Sequence, residues 1–463
     1  MKKRSYRSVN VKKVDANRLA EEVRGERVVF GIDVGKERVF GALWLASTEE
    51  VKLIISWRHT AETLETVELV TGLPVSELEV ALEPSGTYGD PLRWQFAKRG
   101  VAVYRVSPKR SHDAAEVFDG VPSWHDPKSA TLIGKLHLEG VSELWPLRPE
   151  EERDLAAEVG LMGMYDKQEH ANLNRLEAQM GRYWPELCED MALKRRTVLE
   201  LIKEYGSPQA VASDEEGARR LMRKIGGSLL KEDKIERVLE SAGITLGMVM
   251  TERERTVVQA LAEEVLRCRA KARVVQLSVE AMGENLQSVH RMGPVVGKTT
   301  AAVLVSKVGD PARYESASSF VKALGLNLKE RSSGKLQGQL KITKRGPGIC
   351  RFYLYMAALR LIMRDPVTKV WYERKVARQG GKYKNKAVVA VMRKLAAALW
   401  HVARGKVFDS KLLYDAAKLG FGGKSETSRT QLLCWMDGGQ AGMFVDSGHS
   451  QHTGEVFHQA GLI

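Results

Sequence analysis

The sequence predicts an α/β domain followed by a mainly α-helical region. Between residues 28 and 106, short runs rich in β-branched and aromatic residues are separated by turn-sized polar gaps, which is typical of strands. Beyond about residue 148, this pattern gives way to long stretches with apolar residues at helical spacing. A chain of 463 residues is also long enough to bury several hydrophobic cores. We therefore expect separate α/β and α domains.

The α/β region begins with a predicted meander of three strands, at 28–34, 38–46 and 51–57. An amphipathic stretch, an apolar strand, a helix and another strand follow, at 60–71, 77–83, 90–99 and 101–106, and a further helix is predicted at 128–139. A three-strand meander that leads into alternating helix and strand is the order expected of an RNase H-like domain. We therefore predict that fold for the N-terminal third.

The remaining segments differ from this domain in composition. We predict a basic arm at 1–27, the RNase H-like domain at 28–147, a helical region at 148–285, a mainly α domain at 286–413 and a Gly- and Ser-rich tail at 414–463. Long helices are expected within 151–180 and 253–282, where charged residues flank the apolar positions. They fit either a coiled-coil pair or an ordinary helical bundle.

The charge of the chain indicates a polyanionic partner. Its formal net charge is +14, and 43% hydrophobic with 28% charged residues is typical of a globular protein rather than a disordered one. DNA and RNA are the largest polyanions in the cell, with anionic membrane second.

No apolar run is long enough to cross a bilayer or to act as a signal peptide. The four cysteines are too dispersed for a zinc site. We expect a cytoplasmic protein without a membrane partner.

Three acids occupy positions at which they can converge. Asp33 lies at the end of the first predicted strand, Glu83 ends a later strand, and Asp126 precedes a predicted helix. Carboxylate oxygens are the ligands that Mg²⁺ prefers, and two such ions stabilise both oxygens of a phosphodiester displacement. Each acid alone is equally typical of a turn or a strand end. Their order on these elements favours a Mg²⁺ site.

The segment 292–301 (MGPVVGKTTA) resembles a phosphate-binding loop but is not one. The pattern for a P-loop requires glycine at position 292, where this chain has methionine. A helix-hairpin-helix-like turn fits better, in which Gly293 and Gly297 let peptide N–H groups approach a phosphate and Lys298 adds a charge. The alternative is an ordinary glycine-capped helix junction.

Between Lys341 and Lys394, cations greatly outnumber acids. The acids are Asp365 and Glu373, whereas the cations include Lys341, Lys344, Arg345, Arg374 and Lys375. A solvated helix face normally mixes both signs, so this imbalance favours contacts with nucleic-acid phosphates. Aromatic residues interleave with these cations, and they fit either stacking on unpaired bases or ordinary core packing; they are Tyr355, Trp371, Tyr372 and Tyr383.

Taken in order, several motifs resemble those of the DEDD transposases of the insertion sequence 110/116/902 type, which include Piv-like DNA invertases and bridge-RNA-guided recombinases. The resemblance spans about 28–413. Its pieces are GIDVGK (31–36), EPSGTYGDPL (83–92), VSPKRSHDAAEVFDGVPSWHDPKSATLIGKL (106–136), RMGPVVGKTTAAVLVSKVGD (291–310), ALGLNLKERSSGKLQGQLKITKRG (323–346) and DPVTKVWYERK (365–375). It implies a RuvC-like N-terminal domain, a coiled-coil linker and a C-terminal transposase domain.

The resemblance also implies roles for individual residues. Asp33, Glu83 and Asp126 match the first three Mg²⁺-binding acids of the family, but Ser129 stands where the fourth acid is expected. A hydroxyl adds no negative charge, so a second Mg²⁺ should bind less tightly. Such a site would use one metal, borrow Asp119, or belong to a degraded copy.

The family attacks DNA with a serine that forms a covalent phosphoserine link. Here that serine corresponds to Ser333 or Ser332, in a segment that by itself reads as a flexible loop. Donor and target DNA, a guide RNA and a homo-oligomer, either dimer or tetramer, are the partners that the resemblance implies. The alternatives are a RuvC-type nuclease that uses its metals alone, and an inactive nucleic-acid-binding relic.

Overall fold

The chain forms two compact units, Met1–Arg148 and Pro149–Ile463. The computed structural model describes residues 6–84, 86–121, 125–330, 338, 340–415 and 417–420. The three predicted acids belong to the first unit, whereas the cation-rich region belongs to the second.

The first unit is a seven-stranded mixed sheet with helices. Its elements are β1 (Val9–Asn10), α1 (Ala16–Glu22), β2 (Arg27–Val34), β3 (Arg38–Leu45), β4 (Glu50–Arg58), α2 (Thr63–Thr71), β5 (Glu77–Leu82), α3 (Asp90–Ala97), β6 (Ala102–Arg105), α4 (Pro108–Asp119), α5 (Asp126–Leu138) and β7 (Glu143–Leu144). The strand order is β1-β4-β3-β2-β5-β6-β7. Strand β3 runs antiparallel to β2 and β4, whereas β2, β5 and β6 run parallel. The predicted α/β class is thus confirmed.

Strand β2 is buried on both faces. Its side chains point alternately to the two faces, so alternate residues pack against different helices. Phe30 and Ile32 belong to a core with residues of α2 and α3, whereas Val29 packs with Ala130 of α5. Successive side chains of a strand point to opposite faces of the sheet. Asp33, four residues after Val29, therefore lies on the α5 side.

The N-terminal segment predicted to be a basic arm supplies two elements of this unit. Strand β1 pairs in parallel with the edge of β4, with Val9 opposite Ile55. Helix α1 begins after Asp15, whose side chain accepts a hydrogen bond from the Arg18 amide and caps the helix. Apolar residues in this segment, among them Leu19, are buried in the core, although sequence periodicity alone gave no indication of them.

The second unit is almost entirely helical. Its elements are α6 (Glu150–Tyr183), α7 (Pro185–Asp190), α8 (Arg196–Tyr205), α9 (Pro208–Ser213), α10 (Glu215–Gly226), α11 (Glu232–Ile244), α12 (Glu252–Glu284), α13 (Gln287–Val296), α14 (Lys298–Val308), α15 (Ala317–Ala323), β8 (Leu328–Lys329), β9 (Lys341–Ile342), α16 (Gly348–Arg364), α17 (Pro366–Ala377) and α18 (Lys384–Ala403). No helix in the described ranges is both long and apolar enough to cross a membrane. The predicted mainly helical C-terminal part is confirmed.

The long helices α6 and α12 pack against each other in antiparallel fashion. At one end, Leu155 and Val159 of α6 share a core with Val279 of α12 and with α13 to α18. At the other end, Met180 of α6 and Val258 of α12 belong to a second core with α7 to α11. Between the two cores, Arg269 of α12 forms an ion pair with Glu169 of α6 at 2.7 Å, and Cys268 and Ala272 of α12 are buried nearby in the sequence. The expected long helices are present, and a coiled coil remains a prediction.

Candidate acidic site and nucleic-acid interface

Asp33 and Glu83 lie at the same edge of the sheet. Strands β2 and β5 run parallel, with Ile32 opposite Leu82. Asp33 and Glu83 are the residues that follow these two, so they come next to each other. Ala81, two residues before Glu83, packs with residues of α4 and α5. Side-chain alternation therefore turns Glu83 toward the same helices as Asp33.

Helix α5 brings two further predicted residues to this edge. It begins at Asp126, and Ser129 follows in its first turn with only 2% of its surface exposed. The helix lies directly on β2, because a Cβ atom added to Gly31 would come within 2.6 Å of both the Ala130 carbonyl oxygen and the Gly134 Cα atom. Only glycine permits this approach, so the start of α5 lies beside the end of β2.

The electrostatics of Asp33 reflect this convergence. Burial, together with the charges of Glu83 and Asp126, raises the pKa of the Asp33 carboxyl to about 6, and a hydrogen bond from Ser129 opposes the increase. Burial also raises the pKa of Glu83, and there a hydrogen bond from Ser111 opposes it. No basic side chain is among the groups that act on these two carboxyls. Among the described residues of the first unit, no cation therefore offsets these like charges.

Two buried hydroxyls accompany the acids. Ser129 of α5 interacts with Asp33, and Ser111 of α4, which is 0% exposed, interacts with Glu83. Ser111 was not predicted from the sequence, because a serine within a helix carries no signal of its own. Each of the two partly buried carboxylates therefore has one serine partner.

The residues at this edge fit a hard divalent cation by chemistry. Carboxylate and hydroxyl oxygens are suitable Mg²⁺ ligands, and the acids have uncompensated charge. In the part of the chain that the structure describes, however, no three acidic, histidine or cysteine side chains are close enough to form a ready-made metal site. Joint coordination of one ion would therefore require these carboxylates to reorient.

Asp119, the alternative fourth acid, is already engaged. Its carboxylate accepts hydrogen bonds from the Lys128 ammonium at 2.8 Å and from the Tyr6 hydroxyl at 2.6 Å. Burial would raise its pKa, but these bonds and one from the Val121 amide lower it to about 2. A carboxylate held in this way is poorly placed to serve as a substitute metal ligand.

The two candidate nucleophiles, Ser332 and Ser333, lie outside the described residues. The strands before and after them, β8 and β9, pair in antiparallel fashion, with Leu328 opposite Ile342 and Lys329 opposite Lys341. The role predicted for these serines remains a prediction.

The turn between α13 and α14 is built around Gly297. This residue has a φ of +89°, and the Arg360 guanidinium packs 3.4 Å from where its Cβ would lie. Arg360 also donates a hydrogen bond to the Val296 carbonyl oxygen at 2.6 Å, which fixes the turn. Lys298 is 59% exposed, but its ammonium forms an ion pair with Glu284 at 2.8 Å. A phosphate would therefore compete with Glu284 for Lys298.

The cation-rich region divides into inward and outward side chains. Several cations donate hydrogen bonds to backbone carbonyl oxygens and thereby link segments of the second unit: Arg351 to Gly346, Arg360 to Val296, Arg374 to Lys418, Arg393 to Leu326 and Lys394 to Leu413. Of these five, Arg374 is itself exposed to solvent. Others are exposed to solvent: Lys341, Lys344, Arg345, Arg364, Lys369, Arg378, Lys382, Lys384 and Lys386. Of the remaining predicted binding residues, Lys375 is half-buried. Part of the charge imbalance thus has a structural explanation.

Comparison with known proteins agrees with the motif analysis. Residues 287–373, which include α13 and α14, match the family described as "Transposase IS116/IS110/IS902 family". The chain is 24% identical over 274 residues to a 43.6 kDa protein of insertion element IS110 from Streptomyces coelicolor, a match that covers 56% of this chain and 66% of the relative. It is 28% identical over 222 residues to a 42 kDa protein of insertion element IS900 from Mycobacterium paratuberculosis, covering 46% and 53%.

Each match spans less than two thirds of the relative's own length. The predicted resemblance to these transposases is confirmed.

Proposed function

We propose that this chain, as a relative of the IS110-family transposases, cuts and rejoins the DNA of an insertion sequence. The observation that supports this most strongly is the convergence of Asp33, Glu83 and Asp126 at one sheet edge, where no basic side chain of the described residues acts on the Asp33 carboxyl. Phosphodiester transfer needs such a concentration of oxygen ligands, because it passes through a state with high negative charge. We further propose that this unit has a RuvC-like RNase H fold.

In the proposed reaction, a serine hydroxyl of residue 333 or 332 attacks a DNA phosphorus atom. The Oγ–P bond forms, the bond from phosphorus to the leaving sugar oxygen breaks, and that oxygen takes up a proton. A sugar hydroxyl of the joining strand then attacks the phosphoserine and releases the serine. The free energy of the broken phosphodiester bond is therefore conserved in the phosphoserine bond of the covalent intermediate.

The carboxylates of the first unit serve this chemistry by holding Mg²⁺. When bound, the ion would neutralise phosphate charge and help a hydroxyl to lose its proton. Asp33, Glu83 and Asp126 would bind it, while Ser129 and Ser111 hold the first two carboxylates in orientation. Because Ser129 adds no charge, we propose that one ion binds more tightly than any second one.

DNA and RNA are the proposed partners of the second unit. Lys341, Lys344 and Arg345 are exposed cations that could contact phosphates. Gly297 and Lys298 lie at the α13–α14 turn, where a helix-hairpin-helix-like contact would form, whereas Gly293 is buried inside α13. Guidance by an RNA follows from the resemblance. Because donor and target DNA must be held together, we also propose that the protein acts as a homo-oligomer, either a dimer or a tetramer.

A covalent-trapping assay tests this mechanism. The full chain, RNA transcribed from the element's flanks, labelled donor and target DNA and Mg²⁺ are incubated and resolved on a denaturing gel. We expect a protein–DNA adduct that is absent in Asp33→Asn and in either Ser333→Ala or Ser332→Ala. Ser228→Ala, at an exposed serine of the same unit, should retain the adduct.

The alternative is a metal-dependent nuclease of the RuvC type. It is favoured by the fact that Asp33, Glu83 and Asp126 come together wholly within the first unit. Cleavage without an adduct, unaffected by both serine variants, would support this alternative. Nucleic-acid binding with neither adduct nor cleavage would instead identify an inactive relic.

A further inference from the structure

Of the aromatic residues among the cations, Tyr383 differs from the others in its exposure. Tyr355 is only 4% exposed, and Trp371 packs against the Tyr414 ring with the centroids 4.9 Å apart. Tyr372 is half-buried against the core. Tyr383, in contrast, has 48% of its surface exposed. Among these residues, Tyr383 has the ring that a ligand reaches most readily.

Tyr383 lies in a segment in which all the charged side chains are positive. Residues 378–386 (RQGGKYKNK), here called the α17–α18 loop, contain no Asp or Glu. The exposed cations of the loop are Arg378, Lys382, Lys384 and Lys386. The Lys386 ammonium lies 4.1 Å from the centroid of the Tyr383 ring. Positive charge and an accessible aromatic ring therefore occur at one place.

The loop is held in a defined conformation. Gly380 and Gly381 have φ values of +64° and +75°, and their amides donate to the carbonyl oxygens of Ala377 and Val376. The buried Tyr355 donates a hydrogen bond from its hydroxyl to the Asn385 side-chain oxygen at 3.2 Å. The first turn of α18 has no side-chain cap, so its peptide N–H groups add positive potential. Binding here therefore requires little ordering of the loop.

We propose that the α17–α18 loop binds unpaired nucleotides, with lysines on the phosphates and the Tyr383 ring stacked on a base. In a duplex the faces of the bases are covered by their neighbours, so an exposed ring stacks only on nucleotides that are unpaired. The carboxylates of an acidic peptide or the headgroups of an anionic membrane could form ion pairs with the cations, but they offer no planar group that stacks on the Tyr383 ring. This inference rests on the proposed nucleic-acid role of the second unit and specifies the kind of strand that it binds.

Fluorescence anisotropy with the full-length protein tests the inference. The probes are a labelled 20-nucleotide RNA, a DNA of the same sequence and the corresponding duplex. Tyr383→Ala should weaken single-strand binding about tenfold and change duplex binding less than twofold, whereas Tyr383→Phe should bind like the wild type. Because the ring is exposed, all Tyr383 variants should unfold at the wild-type temperature.

The double variant Lys382→Gln/Lys384→Gln tests the phosphate contacts. It should weaken binding of single strands and lower the slope of log K against log salt by about 1.4, as expected for two lost phosphate contacts. The control is Lys224→Gln/Lys231→Gln, at two exposed lysines of the α10–α11 region, and it should change neither affinity nor slope.

An unchanged strand preference in Tyr383→Ala, or equal losses for single strands and duplex, would overturn the inference. The same holds if the loop variants bind nucleic acid normally but lose binding to vesicles of anionic lipid. A wild-type protein that forms the DNA adduct without preferring single strands would overturn this inference alone. A protein that binds no nucleic acid would overturn the proposed function as well.

Discussion

The ammonium group of Lys128 lies 2.8 Å from a carboxylate oxygen of Asp119, and the two side chains are 0% and 10% exposed. Lys128 also donates a hydrogen bond to the Val121 carbonyl oxygen at 2.6 Å. The lysine therefore links Asp119, the last residue of α4, and Val121, two residues further on, to the first turn of α5. That turn also contains Asp126 and Ser129, so the ion pair and the acidic site share the first turn of α5.

Replacing Lys128 with methionine should destabilise the first unit by about 3 kcal/mol, because Asp119 would be left buried without its cation. Urea unfolding measures the change. Lys135→Met in the same helix is the matched control, since Lys135 forms its ion pair with the exposed Glu49 and should contribute less than about 1 kcal/mol. Equal losses in the two variants would contradict the role assigned to Lys128.

Acid should weaken the same ion pair over a defined range. The Asp119 carboxyl has a pKa of about 2, below its ordinary value of 3.8, so its ionised form is favoured in the folded state. Its contribution is fully present above about pH 4 and is lost as the pH falls toward 2. Unfolding free energies of the wild type and Lys128→Met should therefore converge over this range. A constant difference between them would count against the ion pair.

Asp33→Asn should stabilise the metal-free protein while abolishing its response to Mg²⁺. The Asp33 pKa is raised from 3.8 to about 6, so the folded protein becomes less stable as the pH rises from about 4 to 6. At pH 7 the substitution should add roughly 2 kcal/mol. Thermal unfolding with and without Mg²⁺ tests both parts. A destabilised variant, or one that Mg²⁺ still stabilises, would contradict the prediction.

Ser129→Asp should restore a fourth carboxylate at the site. The added charge should lower the melting temperature of the metal-free protein, because it lies beside Asp33, and raise the affinity for divalent ions. Isothermal titration with Mn²⁺ should show tighter binding or a second ion per chain. Ser129→Ala is the control and should bind no more metal than the wild type. If Ser129→Asp behaves like Ser129→Ala, position 129 does not face the metal.

Gly31→Ala should separate α5 from β2. The added methyl group would meet backbone atoms of Ala130 and Gly134, which cannot turn aside as a side chain can. We expect a loss of about 3 kcal/mol or more, together with loss of metal binding. Gly160→Ala, at an exposed position of α6 with open space around it, should instead stabilise the protein by about 0.5–1 kcal/mol. Denaturant unfolding distinguishes the two.

Much of the first unit could be predicted because its elements have strong local patterns. The strands around Asp33 and Glu83 end within one or two residues of their predicted ends, since β-branched runs and turn residues mark them clearly. Helix α1 could not be predicted, because its seven residues bury little more than Leu19 and are otherwise polar. Short elements of this kind depend on tertiary contacts rather than on periodicity.

The candidate site was predictable in its acids but not in its surroundings. Asp126 was noticed because it precedes the predicted helix at 128–139, and it is the first residue of α5. The contact of Ser111 with Glu83, in contrast, depends on how α4 packs on the sheet. The cations of 341–394 present the same difficulty. Charge alone does not distinguish Arg351, which is 6% exposed and bonded to carbonyl oxygens, from the exposed Lys382. Only the folded chain separates cations that support the fold from those available to a ligand.

Helices α6 and α12 each belong to two hydrophobic cores, and the Arg269–Glu169 ion pair joins the helices between these cores. With 34 residues, α6 extends for about 50 Å, and an α-helix resists both stretching and twisting along its axis. If the register of the helix against a core changed by one residue, each contact position would receive a side chain that points about 100° away from the original one. Neither close-packed core tolerates such a change. A load applied to α7–α11 is therefore transmitted to α13–α18 as the motion of a stiff rod, without the two cores touching.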